Sequence, residues 1–103
     1  MGVGTRTVTG PLCVCRTPDE VRQKFHPGDV LVVPFTTNDM LDAMRQSAAI
    51  IAEEAGANSH AATVGLTLDK PVITGAAYAT RVLPDGIKVA VDCARGTVRR
   101  LAQ

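Results

Sequence analysis

The sequence predicts an α/β fold in which a small parallel sheet carries helices on one face and an antiparallel hairpin closes the chain. Three observations carry this prediction. Continuous apolar runs at Asp29-Val30-Leu31-Val32-Val33, Ala49-Ile50-Ile51-Ala52-Glu53 and Val72-Ile73-Thr74-Gly75 have the pattern of strands covered on both faces. The segments between them begin with capping residues and then repeat apolar positions at helical spacing, so strand, helix, strand, helix, strand over residues 29 to 75 forms two βαβ units. After residue 86 the period changes to two, with Ile87, Val89 and Val91 alternating against Lys88 and Ala90.

Taken in order, Thr5 to Arg16 mixes β-branched and apolar residues around Gly10-Pro11, which predicts two short strands or one bent strand. Thr17-Pro18-Asp19-Glu20 opens a helix, with Pro at its first position and Glu three residues after the cap; Phe25-His26-Pro27-Gly28 ends it. His26, in that turn, reads as a solvated loop residue. The strand at residues 29–33 stops at Pro34. Thr36-Thr37-Asn38-Asp39 then reads as a second capping signature for a helix to about residue 47, with Met40, Leu41, Met44 and Ala48 facing the core. The strand at residues 49–53 leads into Gly56-Ala57-Asn58-Ser59-His60-Ala61-Ala62. From His60, the apolar positions Ala61, Ala62, Val64, Leu66 and Leu68 fit a helix broken at Asp69-Lys70-Pro71. Cys93-Ala94-Arg95-Gly96 is the turn of the final hairpin and Thr97 to Leu101 its return strand. Both crossover helices are expected on one face of the sheet.

Size and composition bound the function. The chain has 103 residues, read as a single domain (1–103), with 46% apolar residues but only 3% aromatic, so its core is aliphatic. Formal net charge is +1 from 11 basic and 10 acidic residues, and no basic run exceeds Arg99-Arg100, which argues against nucleic acid or an anionic membrane as partner. Apolar stretches fall well short of the ~20 residues that span a bilayer. No secretory signal pattern opens the chain, and Arg6 stands where myristoylation needs Ser or Thr. A cytoplasmic location is the expectation. Cys13, Cys15 and Cys93 lack metal-ligand spacing; Cys13 and Cys15 share a strand face and read as buried, reduced thiols, with no metal and no cofactor held by this domain.

The chemistry gathers around His60. In a parallel sheet with crossover helices, ligands collect at the carboxyl ends of the strands, where Thr36 and residues 56–60 both fall. The first N–H groups of a helix have no intrahelical partner and the dipole there is positive, so an imidazole at that point can carry a phosphoryl group met by free donors. Candidate donors are the backbone N–H groups of Ala61, Ala62 and Thr63 and the side chains of Ser59, Asn58 and Thr36. Gly56 allows close backbone approach. Ala61 and Ala62 leave the ring uncrowded. There is no G-x-x-x-x-G-K-[ST] loop, dinucleotide fingerprint or carboxylate cluster for magnesium, so the chain alone can carry a phosphoryl group but not take one from ATP or phosphoenolpyruvate. A thiol enzyme fits less well, since none of Cys13, Cys15 and Cys93 lies in an electropositive loop, and so does a Ser59-His60 hydrolase, since adjacent residues at a helix start point apart and no third group is indicated.

These residues resemble a known family, the swivelling phosphohistidine (mobile) domain of phosphoenolpyruvate-utilising enzymes, found in pyruvate phosphate dikinase, phosphoenolpyruvate synthase and enzyme I of the sugar phosphotransferase system. Its pattern, roughly G-G-x-T-[SC]-H-A-A-[IV]-V, is matched by Gly56, Ser59, His60, Ala61, Ala62 and Val64, with Ala55 at the first Gly and Asn58 at the Thr. Gly28 to Val32, Thr36, Glu53-Glu54, Pro71 to Gly75, Asp85-Gly86, Val91-Asp92 and Gly96 extend the likeness over residues 4–101. Val64-Gly65-Leu66-Thr67-Leu68 and residues 34–51 look most like the extra C-terminal domain of bacterial pyruvate kinases. The resemblance implies a three-layer β/β/α fold, with a parallel sheet between the helices and a smaller antiparallel sheet. It makes His60 the phosphorylated histidine, Ser59 its neighbour and Thr36 the threonine facing it. It also implies a phosphoenolpyruvate-binding barrel domain as partner in cis or trans, magnesium on that partner, and a homo-oligomer as one possible assembly. Two roles follow from it: an appended structural or regulatory module that retains the His60 site, and alternatively an active phosphocarrier.

Overall fold

A computed structural model describes residues 2–3, 7–55 and 59–101. Seven strands stand in the order β1-β5-β4-β3-β2-β6-β7. They are β1 Gly2–Val3, β2 Thr7–Val14, β3 Val30–Val33, β4 Ala49–Ala52, β5 Val72–Ile73, β6 Lys88–Asp92 and β7 Thr97–Arg100. Four α-helices, α1 Pro18–Lys24, α2 Leu41–Gln46, α3 His60–Thr67 and α4 Ala79–Val82, and a 3-10 turn at Asn38–Met40 complete the described elements.

The segment around Gly10-Pro11 is one bent strand, and the bend divides the molecule into layers. Thr7 to Pro11 pair antiparallel with Asp92 to Lys88, while Leu12 to Val14 pair parallel with Val30 to Val32. A Cβ at Gly10 would lie 2.6 Å from the Gly28 carbonyl oxygen, so only glycine fits where the strand crosses from one sheet to the other. Because residues 12–14 begin a parallel strand, β2-α1-β3 is itself a βαβ unit. The chain has three such units in succession where the apolar runs alone indicated two.

Alternate residues of the parallel strands enter two cores, as the two-residue period of a strand requires. Cys13, Leu31, Val33, Ile50, Ala52 and Val72 face Val21 of α1, Met40, Met44 of α2 and Ala61 of α3. Leu12, Val14, Val30, Val32, Ile51 and Ile73 face Ala79 of α4 and Val89 and Val91 of β6. The order helices, parallel sheet, antiparallel sheet is the three-layer β/β/α arrangement expected, and α1, α2 and α3 share one face.

Local signals explain most boundaries. Thr17 Oγ1 accepts from the Glu20 N–H at 3.2 Å, and the Glu20 carboxylate reaches back to the Arg16 N–H at 2.6 Å, one residue outside the usual capping box. The segment after β3 starts as a 3-10 turn, Asn38–Met40, before α2; Thr37 at its cap makes no side-chain capping bond, and its buried hydroxyl finds no partner among the described residues. Two elements carried no sequence signal. β1 pairs antiparallel with β5, and α4 begins at Tyr78 in a left-handed conformation, φ 63°. Cys13, Cys15 and Cys93 are buried and form no disulfide, with the first two sulfurs 3.5 Å apart. Burial pushes the Cys15 thiol up to about 12.

Where β2 leaves β6, the Val14 N–H has lost its ladder partner and the Asp85 carboxylate takes it at 2.8 Å, with Lys24 Nζ 3.1 Å from the other oxygen. The Val14 N–H, and after it the Lys24 ammonium, hold the Asp85 carboxyl below its ordinary value of 3.8 against a smaller opposing effect of burial. A depressed carboxylate contributes stability at pH above its unfolded value and loses it as pH falls through the folded one. Asp85→Asn is therefore expected to lower the urea midpoint at neutral pH, and the gap to wild type should close as pH drops below 3.8. A gap independent of pH would mean that the carboxylate's charge plays no part.

Candidate functional site

The carboxyl ends of β3, β4 and β5 are knitted together by their loops. The Glu54 N–H donates to the Pro34 carbonyl at 2.9 Å, the Gly75 N–H to the Glu54 carbonyl at 2.7 Å, and the Ala76 N–H to the Ala52 carbonyl at 3.1 Å. On this platform α3 begins. Ser59 is its cap, extended at φ −65° and ψ 157°, and its hydroxyl accepts from the Ala62 N–H at 3.2 Å. His60 is thus the first helical residue, with Ala61 and Ala62 buried against the sheet and the imidazole half-buried at the rim.

Both ring nitrogens are engaged by side chains from one loop. His60 Nδ1 lies 2.6 Å from Thr36 Oγ1, and Nε2 lies 2.9 Å from Asn38 Oδ1. Thr37 between them is extended, φ −133° and ψ 170°, so residues 36 and 38 project to the same side and grip opposite edges of the ring. Thr36 is 5% exposed, a rigid partner; Asn38 is on the surface.

The structure accordingly brings Thr36, Ser59, His60, Ala61 and Ala62 together, but not in the way the sequence suggested for each. Thr36 faces His60, as the resemblance implies, but its hydroxyl is spent on the ring nitrogen and is not a free donor. The helix N–H groups expected as free donors have partners: the Glu54 carboxylate accepts from Ala61 at 3.3 Å, Ser59 Oγ from Ala62, and the Ser59 carbonyl from Thr63 at 3.0 Å. Glu54 thereby supplies the negative charge that a helix start attracts. Gly56 and Asn58 lie outside the described residues. In the sequence Asn38 reads as part of a capping signature, which hides its contact with His60. The signal that finds it is the Thr-x-Asn spacing in a loop at the same sheet end as the histidine.

Glu53, next to this platform, accepts from both the N–H and the hydroxyl of Thr80, at 2.9 and 2.7 Å, which fixes α4 to the end of β4. His26 is solvated, as expected, with its N–H bonded to Asp29 at 2.9 Å. No helix among the described residues is long and apolar enough to cross a membrane.

A mixed sheet with helices on one face and a doubly held histidine opening a helix at its carboxyl edge defines a three-layer domain built around that imidazole. Residues 25–96 match the model of the PEP-utilising enzyme mobile domain, and this chain belongs to that family. It is 44% identical over 99 residues to a pyruvate kinase of Geobacillus stearothermophilus, covering 96% of this chain and 17% of that protein. It is 39% identical over 98 residues to a probable phosphoenolpyruvate synthase of Archaeoglobus fulgidus, covering 95% of this chain and 13% of that one. The crystal structure of Thermococcus kodakaraensis aconitase X in its holo form shares the fold, with a TM-score of 0.70 at 22% identity over 99% of both chains. The chain spans about a sixth or less of the length of the pyruvate kinase and synthase it matches, 17% and 13%.

Proposed function

We propose that this chain is the mobile domain of a phosphoenolpyruvate-using enzyme and that His60 accepts a phosphoryl group from a donor bound on another domain. The observation that carries the reading is the ring itself: fixed on its buried edge by Thr36, and turned so that Nε2 lies on the accessible side. A phosphoryl acceptor needs an imidazole in fixed orientation with one nitrogen that an incoming group can reach, and here Nε2 is covered only by the exposed Asn38 side chain. The shared fold with the aconitase X chain does not distinguish functions, so the reading rests on the histidine and its partners. The reading assigns phosphoenolpyruvate and a divalent metal, magnesium, to the partner domain, a barrel in cis or trans. It also assigns the cytoplasm as the place of action.

A second reading has its own observation. The Glu54 carboxylate occupies the Ala61 N–H that a phosphoryl oxygen would use, which favours an appended module of a pyruvate kinase acting on assembly or effector response, with His60 unphosphorylated.

Labelling separates the two. The chain is incubated with labelled phosphoenolpyruvate, magnesium and the phosphoenolpyruvate-binding domain of a phosphoenolpyruvate synthase. The carrier reading expects acid-labile, base-stable label on wild type and none on His60→Ala. Absence of label on wild type, under conditions that label the synthase's own mobile domain, overturns it in favour of the appended module.

A further inference from the structure

We propose that Asn38 is a positioning residue: it sets the tautomer of His60 and, once Nε2 is phosphorylated, its amide turns to donate to the phosphoryl group. The first half stands on geometry alone; the second rests on the carrier reading above.

A neutral imidazole has one N–H and one lone pair. The oxygen of the Asn38 amide only accepts, so at 2.9 Å it places the ring proton on Nε2. Nδ1 then accepts, and the Thr36 hydroxyl, 2.6 Å away, donates to it. In this arrangement neither nitrogen has a free lone pair, and the ring is a held, unreactive group. Both partners are nonetheless two-faced. A hydroxyl donates or accepts by rotating its hydrogen, and an amide exchanges Oδ1 for Nδ2 by a half-turn about its terminal bond. The buried Thr36 has no room to leave, whereas Asn38 is exposed and free to turn. Nε2 is therefore the nitrogen that becomes available, and residue 38 controls when.

For transfer, the ring proton moves to Nδ1, where Thr36 Oγ1 accepts the hydrogen bond. The Nε2 lone pair attacks phosphorus, and the N–P bond forms as the P–O bond to the donor breaks. That bonding pair leaves with the donor oxygen, and the ring proton stays on Nδ1. The phosphoryl group then faces Asn38, whose Nδ2 donates to one of its oxygens in place of the bond that Oδ1 made to the resting ring. Such a residue does two opposed things in turn, which an aspartate cannot: a carboxylate holds the resting tautomer but repels the product.

The test is NMR of the chain with 15N in its histidine rings at about pH 8.5, where an ordinary histidine is neutral, alongside the labelling assay. His60→Ala assigns the signals, since the chain has 2 histidines. The proposal expects wild type with Nε2 protonated and Nδ1 bare. It expects Asn38→Ala to redistribute the proton between the nitrogens, and Asn38→Asp to restore the Nε2–H tautomer while taking up label at least tenfold more slowly than wild type. Wild type with the proton on Nδ1, or an Asn38→Ala ring unchanged from wild type, overturns it. A tautomer that follows residue 38 in a chain that takes no label supports the positioning role and overturns the carrier reading. Label uptake with a tautomer indifferent to Asn38→Ala does the reverse.

Discussion

Gly65→Ala is expected to destabilise the fold by about 2 kcal/mol, although the same change on an exposed helix face would stabilise it by about 1. Gly65 sits in the buried face of α3, and a Cβ there would lie 2.3 Å from Val72 Cγ2 and 3.3 Å from the Lys70 carbonyl. Val72 is fully buried, β-branched and therefore stiff at χ1, and its backbone is paired to β4 on one side and to β1 on the other, so it has no rotamer to retreat into. The helix must lift off the sheet instead. Chemical denaturation gives the effect, and a double-mutant cycle with Val72→Ala gives its cause. Each single change weakens the fold, but the pair should cost less than their sum by 1 kcal/mol or more, since the alanine at 72 removes the methyl that the new Cβ meets. Additive costs would mean that the contact is not what excludes a side chain at 65. The same close approach fixes the start of α3 relative to the loop after β3, so Gly65 acts on the site as well as on the fold: if α3 lifts, His60 is drawn from between Thr36 and Asn38.

How much of this was legible beforehand depends on whether a feature is local. The α1 start was, because Thr17, Pro18 and Glu20 determine it among themselves. The strands β3 and β4 were, because four consecutive buried residues in each leave no other reading. The third βαβ unit was hidden by the bend at Gly10: one strand serving two sheets shows the period of neither. α4 gave no periodicity in its four residues and depends on a tertiary clasp, Thr80 held by Glu53 and its carbonyl by Arg16 Nη2 at 3.1 Å. At the site, a helix opening near His60 followed from local chemistry, and the structure makes Ser59 its cap. What the helix N–H groups do did not, because Glu54 reaches Ala61 across a loop, and any anion that arrives there is preceded by one already present. Asn38 was visible as a residue but not as a partner. Its role depends on Thr37 being extended, a conformation that leaves Thr37 without a capping bond and that no preference of Thr-Asn-Asp foretells.

If His60 is the phosphoryl acceptor proposed above, Thr36→Val is expected to slow its phosphoryl uptake by about a hundredfold, the scale of a reacting group misplaced by roughly 1 Å, while leaving the fold close to wild type. Valine reproduces the shape of threonine in a pocket where the residue is 5% exposed, so packing is retained and only the hydroxyl is lost. That hydroxyl makes the 2.6 Å bond to Nδ1, and it is the partner that accepts the Nδ1–H hydrogen bond once the ring proton has moved there from Nε2. Without it the Nδ1–H tautomer has no hydrogen-bond acceptor, and the ring is held at Nε2 alone by an exposed side chain that must turn away for reaction. Both effects act on the rate and neither on the burial of apolar area. Thr36→Ser, which keeps the hydroxyl and drops a methyl, should recover most of the rate while losing more stability than valine does. That crossing of the two rankings, rate following the hydroxyl and melting temperature following the methyl, separates ring positioning from simple support of the loop. Single-turnover labelling and thermal melts of the three proteins measure it. A valine variant within threefold of wild type, or a serine variant as slow as valine, would remove Thr36 from the chemistry and leave it a packing residue.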